Sequence, residues 1–316
     1  MVRRVTEARV VCIGDALVDT IVRVGELPAR GRTVWSPPPI RSPGGTAANV
    51  AAGLAHLQRP ASFLGRVGDD ENGAFLSDDL RARGVDVGGM LRDATAGTGV
   101  AVSLVEPDGE RTFLACALGA AHTRLVDGDL APLRQQPPAA VFLTGLLLLE
   151  EPARETTRRL AAWLRQSGII TYFDPNVRHP SANTPHLLRD AMQQVAGLAD
   201  IVLTGEEELR DLDLAPRPGQ HFAIKRGGRG ARLWSDSLET CEVGGYRVDV
   251  VDATGAGDAF DAAFIAAHLD GQTEREALAF ANAAAALSVE RLGARAMPDR
   301  ETVARLLGMA GVKGDG

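Results

Sequence analysis

Residues 252–260 read DATGAGDAF, and the chain continues through residue 269 as the nearly unbroken apolar run AFDAAFIAAHL. The β-branched residues just before it, RVDVV (247–251), predict a strand that runs into a glycine turn and then a helix. The N–H groups of Gly255, Ala256 and Gly257 would face whatever lies beyond the strand end, because a helix start has no preceding turn to bond. With no side chains at Gly255 and Gly257, a phosphate could approach the backbone. The positive end of the helix also favours the charge that builds on a transferring phosphoryl group. Asp258 falls in the first helical turn, placed to take the proton of an attacking hydroxyl. A plainer reading stays open, in which the glycines make a tight turn and Asp258 complements the helix dipole. Two other glycine-rich loops do not fit: there is no G-x-x-x-x-G-K-[ST], and Phe260 stands where the dinucleotide fingerprint needs its third glycine.

Outward from this loop, short β-branched runs at 10–14, 61–65, 139–145, 169–175, 199–205 and 221–227 each precede a helix-like or turn-rich stretch. That alternation predicts βαβ units around a largely parallel sheet, with ligands beyond the carboxyl ends of its strands. Two stretches break the pattern. TGVAVSLVEPDGERTFLACA (98–117) reads as a β-hairpin about Pro107-Asp108-Gly109, and 16–35 is strand-like with Gly and Pro interruptions. Together they predict a small accessory sheet, and Pro37-Pro38-Pro39 is a hinge or a plain loop.

The 316 residues are 45% hydrophobic and 24% charged, enough for one large α/β domain without staples. The formal net charge of −7 with no basic block argues against a nucleic-acid or anionic-membrane partner. The longest apolar run, 139–149, is shorter than the ~20 residues of a spanning helix, and no leader is evident at the start. Cys12, Cys116 and Cys241 make no metal or disulfide pattern, which predicts a reducing cytoplasm.

A second constellation is PGGTAANVAAGL (43–54), where Gly44 and Gly45 precede a helical run and Asn49 could serve the hydroxyls of a polyol. Asp15 ends the first strand and Asp19 follows four residues later, carboxylates suited to paired hydroxyls or, alone, to turns.

DATGAGD, GGTAAN and GDALVD, in this order and spacing across nearly the whole chain, resemble the ribokinase-like (PfkB) carbohydrate kinase family, with Ala253 the one departure inside the first motif. The resemblance implies an α/β three-layer sandwich: a mostly parallel central sheet, helices on both faces, and a small β-sheet lid. It implies one domain over 1–316, with the lid from about 16–42 and 97–118, often a homodimer interface. It further implies ATP and Mg²⁺ as cofactors, with Asp258 as base and Gly255, Ala256 and Gly257 as anion hole. Asp15, Asp19, Gly44, Gly45 and Asn49 would bind the sugar. Glu208, in TGEEEL, would hold magnesium through water, with Gly205 where relatives carry Asn. Asn176, Lys225, Gly227, Gly230, Thr254 and Asn282 would lie on the nucleotide side, and Asp252 could attend a monovalent cation such as K⁺.

For the acceptor, FDPNVR (173–178) resembles an element of fructokinases and of 2-keto-3-deoxy sugar-acid kinases, with Asp174 and Arg178 offered to the substrate. The second lid strand carries Ala115, Cys116 and Ala117 where sugar-acid kinases have Tyr-Tyr-Arg, which favours a neutral furanose or ketose. A nucleoside kinase on the same fold, a sugar-acid kinase, and a catalytically silent ligand-binding relative are the alternatives.

Overall fold

The computed structural model describes residues 9–176, 186–235 and 241–311. Its first strands are β1 (Val10–Ile13), β2 (Leu17–Arg23), β3 (Ile40–Gly44), β4 (Ala61–Gly68), β5 (Asp86–Asp93), β6 (Val100–Val105) and β7 (Arg111–Cys116). They are followed by β8 (Ala140–Thr144), β9 (Ile170–Asp174), β10 (Ile201–Gly205), β11 (His221–Lys225), β12 (Ala231–Ser235) and β13 (Cys241–Val243). The helices are α1 (Thr46–His56), α2 (Glu71–Ala82), α3 (Ala131–Gln135), α4 (Ala153–Ser167), α5 (His186–Leu198), α6 (Glu206–Asp211), α7 (Ala256–Leu269), α8 (Glu274–Ser288) and α9 (Arg300–Gly311).

Nine strands form one sheet in the order β13-β12-β11-β10-β9-β8-β1-β4-β5. Every pairing from β11 to β5 is parallel, and β12 and β13 add an antiparallel edge. The six runs predicted as the strands of the alternating βα pattern are all present as strands of this sheet. Their short apolar runs are buried on both faces, as parallel strands covered by helices require. Alternate residues feed opposite layers: Val10 and Cys12 pack with α1, α7 and α8, while Val11 and Ile13 pack with α4 and α5. From β1 the chain crosses to β4 and β5 on one side and later to β8 and β9 on the other. The crevice beyond β1 and β8 is therefore the switch point where such sheets bind ligands.

A separate four-stranded sheet, β3-β2-β6-β7, contains the predicted hairpin, with Val100 opposite Cys116 and Val105 opposite Arg111. The strand β3 runs directly into Gly44-Gly45, so this sheet is tied to the start of α1.

One expected strand is absent. Residues 247–251 carry no regular structure, and Val250 and Val251 are exposed. Strand β13 ends at Val243, and the next two residues, Gly244-Gly245, pack against the Gly227–Gly230 turn rather than extending the ladder. The segment is held instead by Val289, whose carbonyl accepts from the N–H of Val251 at 2.8 Å and of Asp252 at 3.0 Å.

Candidate active site

Helix α1 organises the acceptor side. Its N-cap residue, Gly45, has φ +94°, a conformation other residues avoid, and a Cβ there would press on the backbone of Asp15, Ala16 and Leu17. Glycine cannot cap a helix with a side chain, so the cap comes from another element: the N–H of Thr46 donates to Asp15 Oδ2 at 2.8 Å. Asp15 is fully buried, and among the described residues its Oδ1 has no hydrogen-bond partner of ordinary geometry. Burial pushes its carboxyl above the usual carboxylate range, against the opposing pull of the Thr46 N–H. Gly44 lies against the Asp19 carboxylate, close enough that a Cβ would collide with it. Sequence reading placed Asp15, Asp19, Gly44 and Gly45 in one site, and the structure brings them together.

Asn49 lies one turn further along α1. Its Nδ2 donates to Asp258 Oδ2 at 2.7 Å, and its Oδ1 accepts from Arg295 Nε at 2.9 Å. The close packing of small residues makes this meeting possible: a Cβ on Gly53 would stand only 2.7 Å from Ala262 Cβ. Gly53 and Ala262 each follow Asn49 and Asp258 by four residues, so the same two helix faces carry the contact and the pair. The Arg295 side chain is itself buried, bonded to Asp79 and, at 3.2 Å, to the Gly44 carbonyl. Asn49, expected at the sugar, is thus bonded to the candidate base.

The loop before α7 turns at Gly255, which caps the helix at φ +79° with Ala294 too close behind it for a Cβ. The first regular helical bond runs from the N–H of Ala259 to the Gly255 carbonyl at 2.8 Å, so the Gly257 N–H precedes the helical ladder. Ala256 departs from the expected anion hole, because the turn points its N–H at the Ala253 carbonyl, 3.3 Å away. Asp258 sits in the first turn, 6% exposed.

Beneath this loop lies an ion cluster. Lys225 Nζ is 3.0 Å from Asp174 Oδ2 and 3.1 Å from Asp261 Oδ1, and a Cβ on Gly257 would stand 3.6 Å from it. Burial alone would lower the Lys225 ammonium, but Asp174, Asp261 and Glu208 hold it above its ordinary value. Burial raises the Asp261 carboxyl against the pull of Lys225. Asp174, expected at the substrate, is therefore partnered by Lys225, and its Oδ1 accepts from the Asn176 N–H at 2.9 Å. Asn176 itself, expected on the nucleotide side, reaches the Thr46 hydroxyl on the acceptor side. Arg178 lies outside the described residues.

Glu208, the candidate magnesium residue, closes the start of its own helix: its Oε2 accepts from the Gly205 N–H at 2.9 Å and the Thr204 hydroxyl at 3.1 Å. Burial and the neighbouring Asp174 raise its carboxyl. Asn282 Nδ2 donates to the Gly244 carbonyl at 2.7 Å, bracing the glycine pair that meets the Gly227–Gly230 turn. Asp252 Oδ1 accepts from the Thr254 N–H at 2.8 Å and pairs with Arg111 of β7 at 2.9 Å, while Arg111 also bonds the Thr254 hydroxyl.

Sequence reading missed Asp261, Arg295 and Arg111. Asp261 carried a signal, as an acid three residues past Asp258 on a helix that is otherwise apolar as far as His268 in its last turn. Arg295 and Arg111 carried none, because their partners come from remote segments.

A parallel sheet with its switch point at Asp15, a second small sheet, and a carboxylate beside a glycine-capped helix start define a ribokinase-like phosphotransferase fold and site. The family model described as pfkB family carbohydrate kinase matches residues 7–301, so the chain belongs to that family and is an ATP-dependent carbohydrate kinase. It is 34% identical over 326 residues to a probable fructokinase-7 of Arabidopsis thaliana, covering 96% of this chain and 94% of that one. It is also 34% identical to an ATP-dependent ribose-1-phosphate kinase of Halopiger xanaduensis, over 95% and 98% of the two chains. A solved structure of a putative ribokinase II from E. coli in complex with ATP and Mg²⁺ superposes with a TM-score of 0.83 at 27% identity, covering 96% of this chain and 99% of that one.

Proposed function

We propose that this kinase moves the γ-phosphate of ATP to a hydroxyl of a small neutral sugar, a ketose or furanose of the fructose or ribose class. One observation carries the reading: α1 holds the acceptor carboxylate Asp15 at Thr46 and the base Asp258 at Asn49. Three residues of helix separate these contacts, a rise of about 4.5 Å, so a sugar bound at Asp15 lies within reach of Asp258. Asp15 and Asp19 accept from hydroxyls and repel an anionic acceptor, which favours a neutral polyol over a sugar acid.

In the reaction, Asp258 accepts the proton of the attacking hydroxyl as its oxygen bonds to the γ-phosphorus and ADP leaves. The Gly257 N–H and the positive end of α7 stabilise charge on the phosphoryl oxygens, and Asn49 holds the Asp258 carboxylate in place. The Gly227–Gly230 turn, Gly244-Gly245 and Asn282 form the nucleotide side. Glu208 offers one carboxylate at the strand ends, a donor set that suits Mg²⁺ resting on nucleotide phosphates and keeping most of its water. That ion would neutralise phosphate charge. The small sheet serves as a lid that keeps water from the phosphoryl group.

Exposed apolar residues on and near the small sheet support a homodimer. Trp35 is 91% exposed and Leu114 62%, with Phe113 and Leu118 nearby in sequence, and among the described residues β7 is an edge strand of the small sheet. Sedimentation velocity giving a monomer at all protein concentrations would remove this part of the reading. Free Cys12, Cys116 and Cys241 suit the cytoplasm, and among the described residues no helix is long and apolar enough to cross a membrane.

The kinase reading is tested by ADP release over ribose, fructose, tagatose, 2-keto-3-deoxygluconate, inosine and adenosine, with Asp258→Asn in parallel. Turnover of a neutral sugar and a loss of at least ~100-fold in the variant are expected, as for removal of a positioned base. Turnover of only a nucleoside or a sugar acid overturns the substrate class. Undiminished turnover by the variant overturns the base.

A further inference from the structure

The family resemblance implies a monovalent cation at Asp252, but the residues there do not fit one. Asp252 is buried and its oxygens are already engaged: Oδ1 by the Thr254 N–H and the Arg111 guanidinium, Oδ2 by the Gly293 N–H at 3.0 Å. The cation is part of the chain. Arg111 opens β7, the outer strand of the small sheet, and crosses 141 residues of sequence to reach the loop three residues before Gly255.

We propose that Arg111 is a positioning residue that acts as the built-in cation of the anion-hole loop, delivered by the lid. Its contacts to both Asp252 and Thr254 fix the turn that presents Gly255 and Gly257 to the phosphate. A guanidinium presents several donors in one plane and stays charged, so it bridges the carboxylate and the hydroxyl without the dehydration a free ion would need. Because the charge arrives on the lid, the loop takes its working shape when the lid is down. Sugar binding and anion-hole geometry are thereby linked, and turnover needs no added monovalent cation. This rests on the kinase reading, with the lid as described there.

The test compares wild type, Arg111→Met and Arg111→Lys in KCl and in tetramethylammonium chloride at equal ionic strength, following kcat, sugar KM and melting temperature. Wild type should show the same kcat in both salts within about twofold, since its charge is supplied internally, and no potassium-specific rise in melting temperature. Arg111→Met should lose about 10- to 100-fold in kcat with a smaller change in sugar KM, the size expected when an electrostatic support of the transition state is removed. It should regain part of that rate, and a higher melting temperature, in KCl. Arg111→Lys should lie between. The double variant Arg111→Met, Asp252→Asn should be no slower than Arg111→Met alone, because contacting partners couple.

Strong potassium activation of wild type, or an Arg111→Met variant equal to wild type in every readout, overturns the proposal. If wild type turns over none of the sugars, the proposed substrate class fails by itself. The potassium dependence of melting in wild type and Arg111→Met then still decides the role of Arg111.

Discussion

Asn49 and Asp258 stand 209 residues apart in sequence, yet the carboxamide of one donates to the carboxylate of the other at 2.7 Å across the α1–α7 packing seam. The pair exists because Gly53 and Ala262, one turn further along each helix, let the two backbones approach. Gly53→Val should therefore slow the enzyme although residue 53 is not placed at substrate or nucleotide. Overpacking at such a site costs about 1–3 kcal/mol of stability, and spreading the helices should lower kcat by about tenfold or more. Steady-state kinetics on a variant confirmed as folded by circular dichroism checks this. Full activity would show that Asp258 does not depend on the seam.

The two glycines of the loop should fail in different ways. Gly255 has a left-handed φ and the Ala294 backbone behind it, so Gly255→Ala should lose roughly 2 kcal/mol or more of stability. Gly257 has a helical neighbour position with ordinary clearance, the nearest atom being Lys225 Nζ at 3.6 Å from an added Cβ. Gly257→Ala should melt near wild type but bind and turn over ATP poorly. Thermal melts and kcat measured together distinguish the two; equal melting temperatures for both variants would contradict the loop geometry.

Asp15→Asn should separate binding from stability. Burial raises the folded-state value of this carboxyl, so folding favours its protonated form. Its contribution is then most favourable at low pH and declines as pH rises from the ordinary carboxylate range through the raised folded value. The amide has no such dependence. At pH 7–8 Asp15→Asn should melt at or above the wild-type temperature, while sugar KM rises by about tenfold or more for loss of a charged hydrogen-bond acceptor. Melts across pH 4 to 8 give the sign, and a wild type that gains stability relative to the variant as pH rises would refute it.

Lys225 neutralises a buried group of carboxylates, and Lys225→Met leaves Asp174 and Asp261 without their cation. Breaking a buried ion pair from one side costs about 3–5 kcal/mol. Lys225→Met with Asp261→Leu removes charge from both sides and should recover part of that loss. Urea denaturation of the single and double variants measures the coupling, and strictly additive effects would argue against the cluster.

Much of this protein was written locally. The β-branched runs ending in Gly or Asp specified the parallel strands, because a strand buried on both faces has to be continuously apolar. Gly45 and Gly255 announced helix starts with special backbone geometry, and Asp258 followed the second of them in the first turn. These signals are short-range, so they survive in a linear reading. RVDVV was locally a strand as well, but the Gly244-Gly245 pair packs on the Gly227–Gly230 turn and takes the chain off the sheet edge before those residues arrive. Propensity yields there to a close backbone approach.

What only the tertiary structure decided is partnership. Asn49 turned to Asp258, Lys225 to Asp174 and Asp261, Glu208 to its own helix start, and Arg111 to Asp252. Except for Glu208, whose partners Thr204 and Gly205 are its near neighbours in sequence, each choice was made by packing that brings distant segments within 3 Å or so. The sequence determines which groups can bond, through charge and hydrogen-bonding capacity. Which of several eligible partners a buried polar group takes depends on distances set by the crossing of α1 over α7 and the reach of the small sheet, and no local pattern encodes them.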